Sequence, residues 1–347
     1  MKTMVVGTML TLASVAAGQC VSVQQAQVSL DRWMYGFNST PGVETSASTF
    51  GAISQAGFDD RDAQVLLGWN TAGYIPDGAA SYLLRSVRIT LYTSVSDRFF
   101  YDPTADSVVS LYSTSDPEYV ADADPGRPVE LYGAGYRNGM TAATFGETTA
   151  FAPVPPFPPQ EGVRSVFAAV FDEAGNATDI SRQVRQRFES TPMAIGMIPG
   201  LTGGERPNAG TAMSFQVDLS SATTRDYITR GLREGRLRFI VTSLEPASGG
   251  PGGGTGSPSY PAFYMRENLI SPAFGATLDI DVVALPEFDV NQDGSLDQDD
   301  VVYLINVVGG GENPNGVDPD LNFDGNTDQD DISLLINVIA GGEYACP

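Results

Sequence analysis

Residues 289–300 read DVNQDGSLDQDD, and residues 320–331 read DLNFDGNTDQDD. The two stretches are copies of one acidic segment, repeated at an interval of 31 residues. When the chain is aligned with itself at that interval, 15 of the 24 residue pairs that begin at Asp289 are identical. Both copies continue into an apolar run that contains the letters LINV. A repeat of this kind indicates a duplicated structural unit.

Oxygen-bearing side chains recur in both copies at the spacing of a calcium-binding loop. They occupy loop positions 1, 3, 5, 9 and 12, and position 7 offers its backbone carbonyl. The candidate metal ligands of the first copy are Asp289, Asn291, Asp293, Ser295, Asp297 and Asp300, and those of the second are Asp320, Asn322, Asp324, Asn326, Asp328 and Asp331. Calcium takes about six to eight oxygen ligands. The sequence therefore predicts two bound calcium ions.

Position 6 of each loop is glycine, Gly294 or Gly325, where the chain must turn sharply around an ion. Position 12 is aspartate in both loops, which is one methylene shorter than the usual glutamate and reaches less far as a bidentate ligand. The alternative interpretation of either stretch is a solvated acidic turn. Two copies in the same register favour calcium binding.

An apolar stripe follows each loop at helical spacing. It consists of Val301, Leu304, Ile305 and Val308 in the first copy and of Ile332, Leu335, Ile336 and Ile339 in the second. Glycines at 309–311 and 341–342 are expected to end the two helices. The segments 285–288 and 313–316 contain proline or glycine, so no helix is predicted before either loop. The predicted unit is a loop followed by a helix, twice, with the two stripes packed together.

Residues 289–340 resemble a type I dockerin, the calcium-dependent docking module of cellulosomal and other secreted proteins. The resemblance implies that this segment docks onto a cohesin-like protein domain through one or both of its nearly symmetric faces. Loop positions 10 and 11, used for partner choice in the family, are Gln298-Asp299 and Gln329-Asp330 here. Ile305-Asn306 and Ile336-Asn337 replace the basic helix pair of many members. Calcium binding therefore carries over to this chain, whereas the identity of the partner does not.

The charge of the chain limits the partners to be expected. The chain has 347 residues, a formal net charge of −23 and no histidine, and its only lysine is Lys2. From Glu287 onwards it has 14 acidic residues and no basic residue. Nucleic acid is not expected as a partner, because phosphates would be repelled. No segment after the N-terminus is apolar enough to predict a transmembrane helix.

Residues 1–18 are typical of a signal peptide, with Lys2 before a short apolar stretch that ends in small residues. The protein is therefore expected to be secreted, at an extracellular or cell-surface location. A lipoprotein attached through Cys20 is an alternative. Cys20 and Cys346 are the only cysteines. They form a disulfide within the chain, remain separate thiols, or one of them pairs with another molecule.

Residues 19–285 are expected to form a mainly β domain, a jelly-roll-like β-sandwich. Alternating patterns predict strands at 87–92, 213–217, 236–241 and 278–282, with further strands at 63–69, 108–112, 129–132 and 165–171. One helix is predicted at 222–234. The proline-rich stretch 152–160 divides the domain into two halves in one interpretation, and 246–258 is interpreted as a long loop. A dockerin-like module at 286–342 and a tail at 343–347 complete the predicted organisation.

The composition excludes several catalytic schemes. Serine and cysteine hydrolases need a histidine, and Schiff-base chemistry needs a lysine that the chain lacks after Lys2. A carboxylate pair, as in glycoside hydrolysis, remains. The candidates are Asp59, Asp60, Asp62, Asp102, Glu118, Asp122, Asp124, Asp172 and Glu173. Most of them lie in predicted turns, and surface solvation is the favoured interpretation of Asp172 and Glu173. The cluster at 59–62 is either a calcium site or a salt-bridged loop, and the salt-bridged loop is favoured. No catalytic residue is predicted.

Aromatic residues offer another kind of site. Trp33, Tyr35 and Phe37 alternate, and such a row either stacks on sugars or packs into a core. Core packing is favoured. The preferred hypothesis is an exported, non-catalytic protein whose dockerin-like module docks a glycan- or protein-binding β-sandwich. The alternative is a secreted glycoside hydrolase or another polysaccharide-degrading enzyme.

Overall fold

The computed structural model describes residues 19–155, 159–247, 259–268 and 272–341. The predicted signal peptide, most of the predicted loop at 246–258, the tail at 343–347 and Cys346 lie outside the described residues. Cys20 is disulfide-bonded. The pairing of Cys20 with Cys346 stays a prediction, because Cys346 lies outside the described residues.

The described chain is mainly β with antiparallel sheets, which confirms the predicted class. Its strands are β1 (Gln19–Gln27), β2 (Leu30–Met34), β3 (Ser46–Ser48), β4 (Phe50–Gly51), β5 (Arg61–Asn70), β6 (Ser81–Tyr92), β7 (Val129–Tyr136), β8 (Val166–Phe171), β9 (Ala177–Asp179), β10 (Ala194–Ile195), β11 (Ala212–Gln216), β12 (Arg236–Ser243), β13 (Ala262–Tyr264) and β14 (Thr277–Leu285). The helices are α1 (Gln183–Gln186), α2 (Ala222–Arg233), α3 (Gln298–Val308) and α4 (Gln329–Ile339). No helix in the described ranges has the length and apolarity needed to cross a membrane.

The chain divides into two compact units. The larger one, called the β unit here, comprises Val21–Asp77 and Leu84–Val282. The described part of the smaller one comprises residues 19–20, 78–83 and 283–341. Residues 286–341, called the C-terminal module here, include both acidic repeats with α3 and α4.

Two larger sheets and one small sheet organise the strands. The order in one sheet is β1-β14-β6-β11, and the order in the other is β2-β5-β12-β7-β8-β9, with β4 beside β5 and β10 beside β7. Strands β3 and β13 form the small sheet. Strands β7 and β8, which precede and follow the proline-rich stretch, pair with each other. That stretch therefore connects neighbours within one sheet.

Strand periodicity was a good guide to the half-buried strands. In β6, Val87, Ile89 and Leu91 are buried on one face, as their alternation predicts. In β12 the alternating sequence predicts one buried face, but both faces are buried, because Arg238 and Ile240 on the second face are buried too. This strand lies between β5 and β7, and α2 packs on it. A central strand that is covered on both faces is buried on both, even where its sequence alternates between polar and apolar residues.

The strand predicted at 108–112 is wrong, because Val108–Leu111 form a 3-10 helix. The Ser110 amide donates to the Ser107 carbonyl, and Glu189 Oε1 accepts a hydrogen bond from the Val108 amide at 2.8 Å. Short apolar runs fit a strand or a helical turn equally well, so these tertiary contacts decide. The predicted helix at 222–234 is confirmed, and the Ser221 side chain caps its N-terminus.

Helices α3 and α4 begin at the same loop position in both repeats, and each starts with an aspartate capping box. Leu304, Ile332 and Leu335 are buried in a core shared by the two helices, as their spacing predicts. Ile305 and Ile336, assigned to the same stripes, instead remain 51% and 50% exposed. The buried face of each helix is narrower than the sequence suggests, because one short partner helix cannot cover a wide stripe.

Candidate metal centres

The first acidic repeat forms a closed loop in which side-chain oxygens accept backbone hydrogen bonds. Asp289 Oδ1 and Asn291 Oδ1 both accept from the Asp293 amide, at 3.2 and 2.9 Å. Asp289 Oδ2 accepts from the Gly294 amide at 3.0 Å. Asp293 Oδ1 accepts from the Ser295 amide at 2.8 Å. Loop positions 1, 3 and 5 are thereby held on the inner side of one turn.

Position 12 closes the loop from the helix that follows. Asp300 Oδ1 accepts from the Asn291 amide at 3.1 Å, and Asp300 Oδ2 accepts from the Asp297 amide at 2.9 Å. Asp297 Oδ1 in turn accepts from the Asp299 amide at 2.8 Å. All five predicted side-chain ligands of the first loop therefore belong to one hydrogen-bonded network.

The second repeat reproduces this network position by position. Asp320 Oδ2 accepts from the Gly325 amide at 2.9 Å, and Asp331 Oδ1 accepts from the Asn322 amide at 3.2 Å. The Asp328 amide donates to Asp331 Oδ2 at 2.8 Å. Its hydrogen bonds lower the pKa of the Asp324 carboxyl, chiefly the one from the Asn326 amide. Burial raises the pKa of the Asp331 carboxyl.

The backbone of both loops follows the shape that the sequence predicts. Gly294 and Gly325 both have φ of +89°, in a region that residues with a Cβ rarely adopt. The preceding loop position 4 also has positive φ, 56° at Gln292 and 57° at Phe323. The same two positive φ angles in both loops, although position 4 is glutamine in one and phenylalanine in the other, show that the loop shape is a property of the repeat.

The two loops differ in how the chain before the second repeat contacts them. Asn315 Nδ2 donates to the Asn291 carbonyl at 2.6 Å and to the Val290 carbonyl at 3.3 Å. The Asn315 amide donates to the Tyr303 hydroxyl. The residue equivalent to Tyr303 in the second repeat is Leu334, which is buried and has no polar group. The first loop is therefore held by hydrogen bonds from Asn315, which in turn bonds to Tyr303. The second repeat cannot form the equivalent of the Tyr303 bond, because Leu334 has no polar group.

The oxygen donors of each loop are of the kind that a hard divalent cation takes. No three carboxylates of either loop, all of them among the described residues, bring one oxygen each within 4.8 Å of one another in this structure. Each loop carries five carboxylates and, in the described part of the module, no cationic side chain balances them. Their oxygens retain a lone pair beside the backbone hydrogen bond, because an sp² oxygen has two. The position-12 aspartates, buried and already bonded through both oxygens, are the weakest candidates for bidentate coordination.

Carboxylates converge most closely in the β unit. In the part of the chain that the structure describes, two sets of three or more acids bring oxygens within 4.8 Å of one another, and neither set lies in the repeats. One set is Asp102, Asp106, Asp122 and Asp124, and the other is Asp31, Glu147 and Glu267. Asp102, Asp122 and Asp124 were among the acids that the sequence singled out. Asp31, Glu147 and Glu267 were missed, because distant segments of the chain bring them together. Asp106 was also missed, although it lies in the same connection as Asp102.

The set around Asp102 is only partly neutralised. Arg127 Nη1 contacts Asp106 Oδ2 at 2.6 Å and Asp122 Oδ2 at 2.7 Å. Burial raises the pKa of the Asp102 carboxyl, and it raises that of Asp106 to about 6. Burial likewise raises the pKa of the nearby Glu245 to about 7. This part of the β unit therefore holds more negative charge than one guanidinium balances.

The set around Asp31 is built about Arg266. The Arg266 amide donates to Asp31 Oδ2 at 2.7 Å, and its guanidinium lies 2.8 Å from Glu147 Oε1 and 2.7 Å from Glu267 Oε1. Asp31 is 1% exposed, and burial raises the pKa of its carboxyl to about 8. Every acid of this set thus has the same cationic neighbour.

The remaining acids that the sequence singled out are salt-bridged or exposed. Asp62 lies 3.7 Å from Arg164, and Glu173 is exposed. Asp59 pairs with Arg164 at 2.9 Å, and Asp60 pairs with Arg185 at 2.8 Å, both as buried carboxylates. The cluster at 59–62 is therefore salt-bridged, as the sequence favoured over a calcium site, although Arg61 and Asp62 belong to β5 and not to a loop. Asp172 accepts hydrogen bonds from Asn176 in the exposed turn between β8 and β9. Glu118 lies on the surface beside Arg187.

The aromatic row at 33–37 packs into the β unit. Tyr35 is buried against Phe50 and Ala63, and Trp33 and Phe37 are partly buried beside them. The Trp33 indole N–H donates to the Ser48 carbonyl at 2.8 Å. Core packing, the favoured interpretation, is confirmed for this row.

A cavity of about 240 Å³ lies beside α2 in the β unit. Phe171 and Tyr227 line it with ring centroids 4.5 Å apart, and Arg230 and Arg238 bring guanidinium groups to its wall. The buried Tyr136 hydroxyl, also in the wall, has no hydrogen-bond partner among the described residues. Aromatic faces beside hydrogen-bond donors suit a small polar ligand.

A comparison of the chain with models of known protein families and with curated protein sequences finds no match.

Proposed function

We propose that the chain is an exported docking protein in which two calcium ions order the C-terminal module. The observation that carries the proposal is the identical hydrogen-bonded loop in both repeats, with glycine at position 6 and oxygen side chains at positions 1, 3, 5, 9 and 12. The ten loop carboxylates have no cationic side chain to balance them within the segment from Glu287 onwards, and calcium supplies that positive charge. The predicted signal peptide supports export.

The partner proposed for the module is a cohesin-like domain. Ile305 and Ile336 occupy equivalent positions in the two repeats and are each about half exposed. Val302 extends the apolar surface of α3, with 60% of its surface exposed, and its equivalent Ser333 is polar. We take Ile305 and Ile336, the exposed apolar side chains that recur at equivalent positions of the two repeats, as the anchors for the partner. The nearly symmetric pair offers two related docking faces.

The β unit is proposed to be a jelly-roll-like sandwich that the module carries. Its two larger antiparallel sheets support that architecture. The cavity lined by Phe171, Tyr227 and Arg230 is its candidate ligand site, suited to one unit of a glycan. The glycoside hydrolase alternative gains no support from Asp31, because a catalytic acid must reach the substrate and Asp31 is 1% exposed.

Capture by immobilised type I cohesin domains, with calcium or with chelator, tests the proposal. We expect the wild-type chain to bind in calcium and to be released by chelation. The double variant Ile305→Arg/Ile336→Arg should bind about tenfold more weakly or worse, because arginine at both positions removes both anchors. Each single variant should lose less, since the other face remains.

Val43→Arg is the matched control, because Val43 is a 64% exposed apolar residue in the β unit. It should bind like the wild type. Capture that persists in chelator, or that the double variant and the control retain equally, would contradict the docking proposal.

A further inference from the structure

The connection between β6 and β7, residues 93–128, brings four carboxylates together in the β unit. Oxygens of Asp102, Asp106, Asp122 and Asp124 all lie within 4.8 Å of one another. Oxygens that bind one calcium ion at about 2.4 Å lie at most about 4.8 Å apart. The four side chains are therefore spaced as ligands of a single ion. Convergence alone does not establish a site, because acidic groups also cluster on surfaces.

Asp102 supplies a second and independent indication. This residue is only 3% exposed, and its Oδ2 has no hydrogen-bond partner among the described residues. A buried carboxylate oxygen without a donor has lost the hydrogen bonds that water gives it in the unfolded chain, and this loss destabilises the fold. Among the residues that the structure describes, no protein group removes this cost.

The protein donors nearby serve the other oxygens of the set. The Thr104 hydroxyl lies 2.6 Å from Asp102 Oδ1 and 3.2 Å from Asp124 Oδ2. It has one proton, so it donates to one of these carboxylates at a time. Arg127 contacts one oxygen each of Asp106 and Asp122. Four carboxylates against one guanidinium leave a formal charge of −3.

We propose that Asp102, Asp106, Asp122 and Asp124 bind a third calcium ion, in the β unit and separate from the two C-terminal loops. The ion takes one oxygen from each of the four carboxylates, among them the unpartnered Oδ2 of Asp102. Asp122 Oδ1, which Arg127 leaves, also accepts from the Ala123 amide at 2.8 Å and keeps a second lone pair for the ion. Magnesium fits less well, because it keeps several waters and takes one or two carboxylates, whereas four carboxylates in a partly buried set suit calcium. The ion fixes a long connection that has little regular structure of its own.

Counting bound calcium on the full chain by equilibrium dialysis tests the proposal. The wild type should bind three equivalents, and Asp102→Asn should bind two. Asp124→Asn should weaken the third site about tenfold or more, since changes even outside the ligand shell cost that much. Asp124 is exposed, so this variant is expected to fold even where Asp102→Asn does not.

Asp97→Asn is the matched control, an exposed aspartate in the same connection with the same change of charge. It should keep three equivalents. Asp102→Asn and Asp124→Asn variants that both bind as much calcium as the wild type would overturn the proposal.

The same measurement separates this site from the proposed function. Asp289→Asn/Asp320→Asn removes the first ligand of both C-terminal loops and should leave the site at Asp102 as the remaining equivalent. If the C-terminal loops bind no calcium but this site does, the wild type binds one equivalent and Asp102→Asn binds none. That result would refute the proposed module while supporting the third ion.

Discussion

Asp31 is a buried acid whose ionisation the fold opposes. Burial raises the pKa of its carboxyl from 3.8 to about 8, although the Arg266 amide and guanidinium lie beside it. Glu147 and Glu267 face the same guanidinium and add negative charge. The folded state therefore retains a proton on Asp31 at pH values where the unfolded chain has lost it.

The β unit should therefore become less stable as the pH rises. A carboxyl with a raised pKa in the folded state stabilises the fold fully below its unfolded pKa, and this contribution is lost as the pH rises through the folded pKa. We expect the melting temperature of the β unit to fall between pH 5 and pH 8. A tenfold difference in proton affinity between the two states corresponds to about 1.4 kcal/mol.

Asp31→Asn should remove a large part of that slope, because the amide cannot ionise and its oxygen can still accept from the Arg266 amide. Melting curves at several pH values, with calcium present, measure the effect. Glu173→Gln, an exposed acid in the turn between β8 and β9, should leave the slope unchanged. Equal slopes in the wild type and in Asp31→Asn would refute this account of Asp31.

At the scale of elements, α3 and α4 depend on a core that is narrow. Leu335 is completely buried, whereas its neighbour Ile336 is half exposed. Leu335→Ala should destabilise the C-terminal module by about 2 to 5 kcal/mol, because it leaves a cavity between the two helices. Ile336→Ala should cost about 0.5 kcal/mol or less, since it removes mainly exposed surface. Denaturant unfolding of the calcium-loaded chain compares the two, and equal losses would contradict the assigned faces.

The helices and strands that could be predicted are those that residues close together in the sequence determine. The start of each C-terminal helix follows from a loop of twelve residues and the apolar stripe after it, and the structure has both helices. Strand β6 was predictable because one face is buried and the other is exposed. The 3-10 helix at Val108–Leu111 was not, since its apolar residues carry no period and Glu189, far along the chain, bonds its first amide.

The candidate sites also differ in whether neighbouring or distant residues form them. The two repeated loops were found from the sequence because all their oxygens lie within twelve consecutive residues. The set around Asp31 unites residues separated by more than a hundred positions, so no local pattern reports it. Arg238 was assigned to a strand face that proved to be buried, and it donates there to the Trp69 carbonyl at 2.9 Å. Burial of a charge depends on neighbours that only the fold supplies.

At the scale of the whole molecule, calcium is expected to act on the two units unequally. The C-terminal module has a small core, and its 14 acids from Glu287 onwards have no basic partner in that segment. A small module of this kind draws folding free energy from its ions. The β unit has a much larger buried core and loses, at most, one ion at Asp102.

Calorimetry of the full chain with and without chelator tests this difference. With calcium we expect one transition for each unit. With chelator the transition of the C-terminal module should disappear, because its carboxylates are left unbalanced, and that of the β unit should move to lower temperature but persist. Added salt should restore the module only in part, since screening weakens the repulsion without supplying ligands.

Two variants separate the contributions in that experiment. Asp289→Asn/Asp320→Asn in calcium should reproduce the chelated behaviour of the C-terminal module while the β unit melts as in the wild type. Asp102→Asn should leave the module's transition in place and make the β unit insensitive to chelator. A transition of the C-terminal module that chelator does not change would refute calcium binding by the repeats. If the transition of the β unit shifts equally in both variants, the two units do not bind calcium independently.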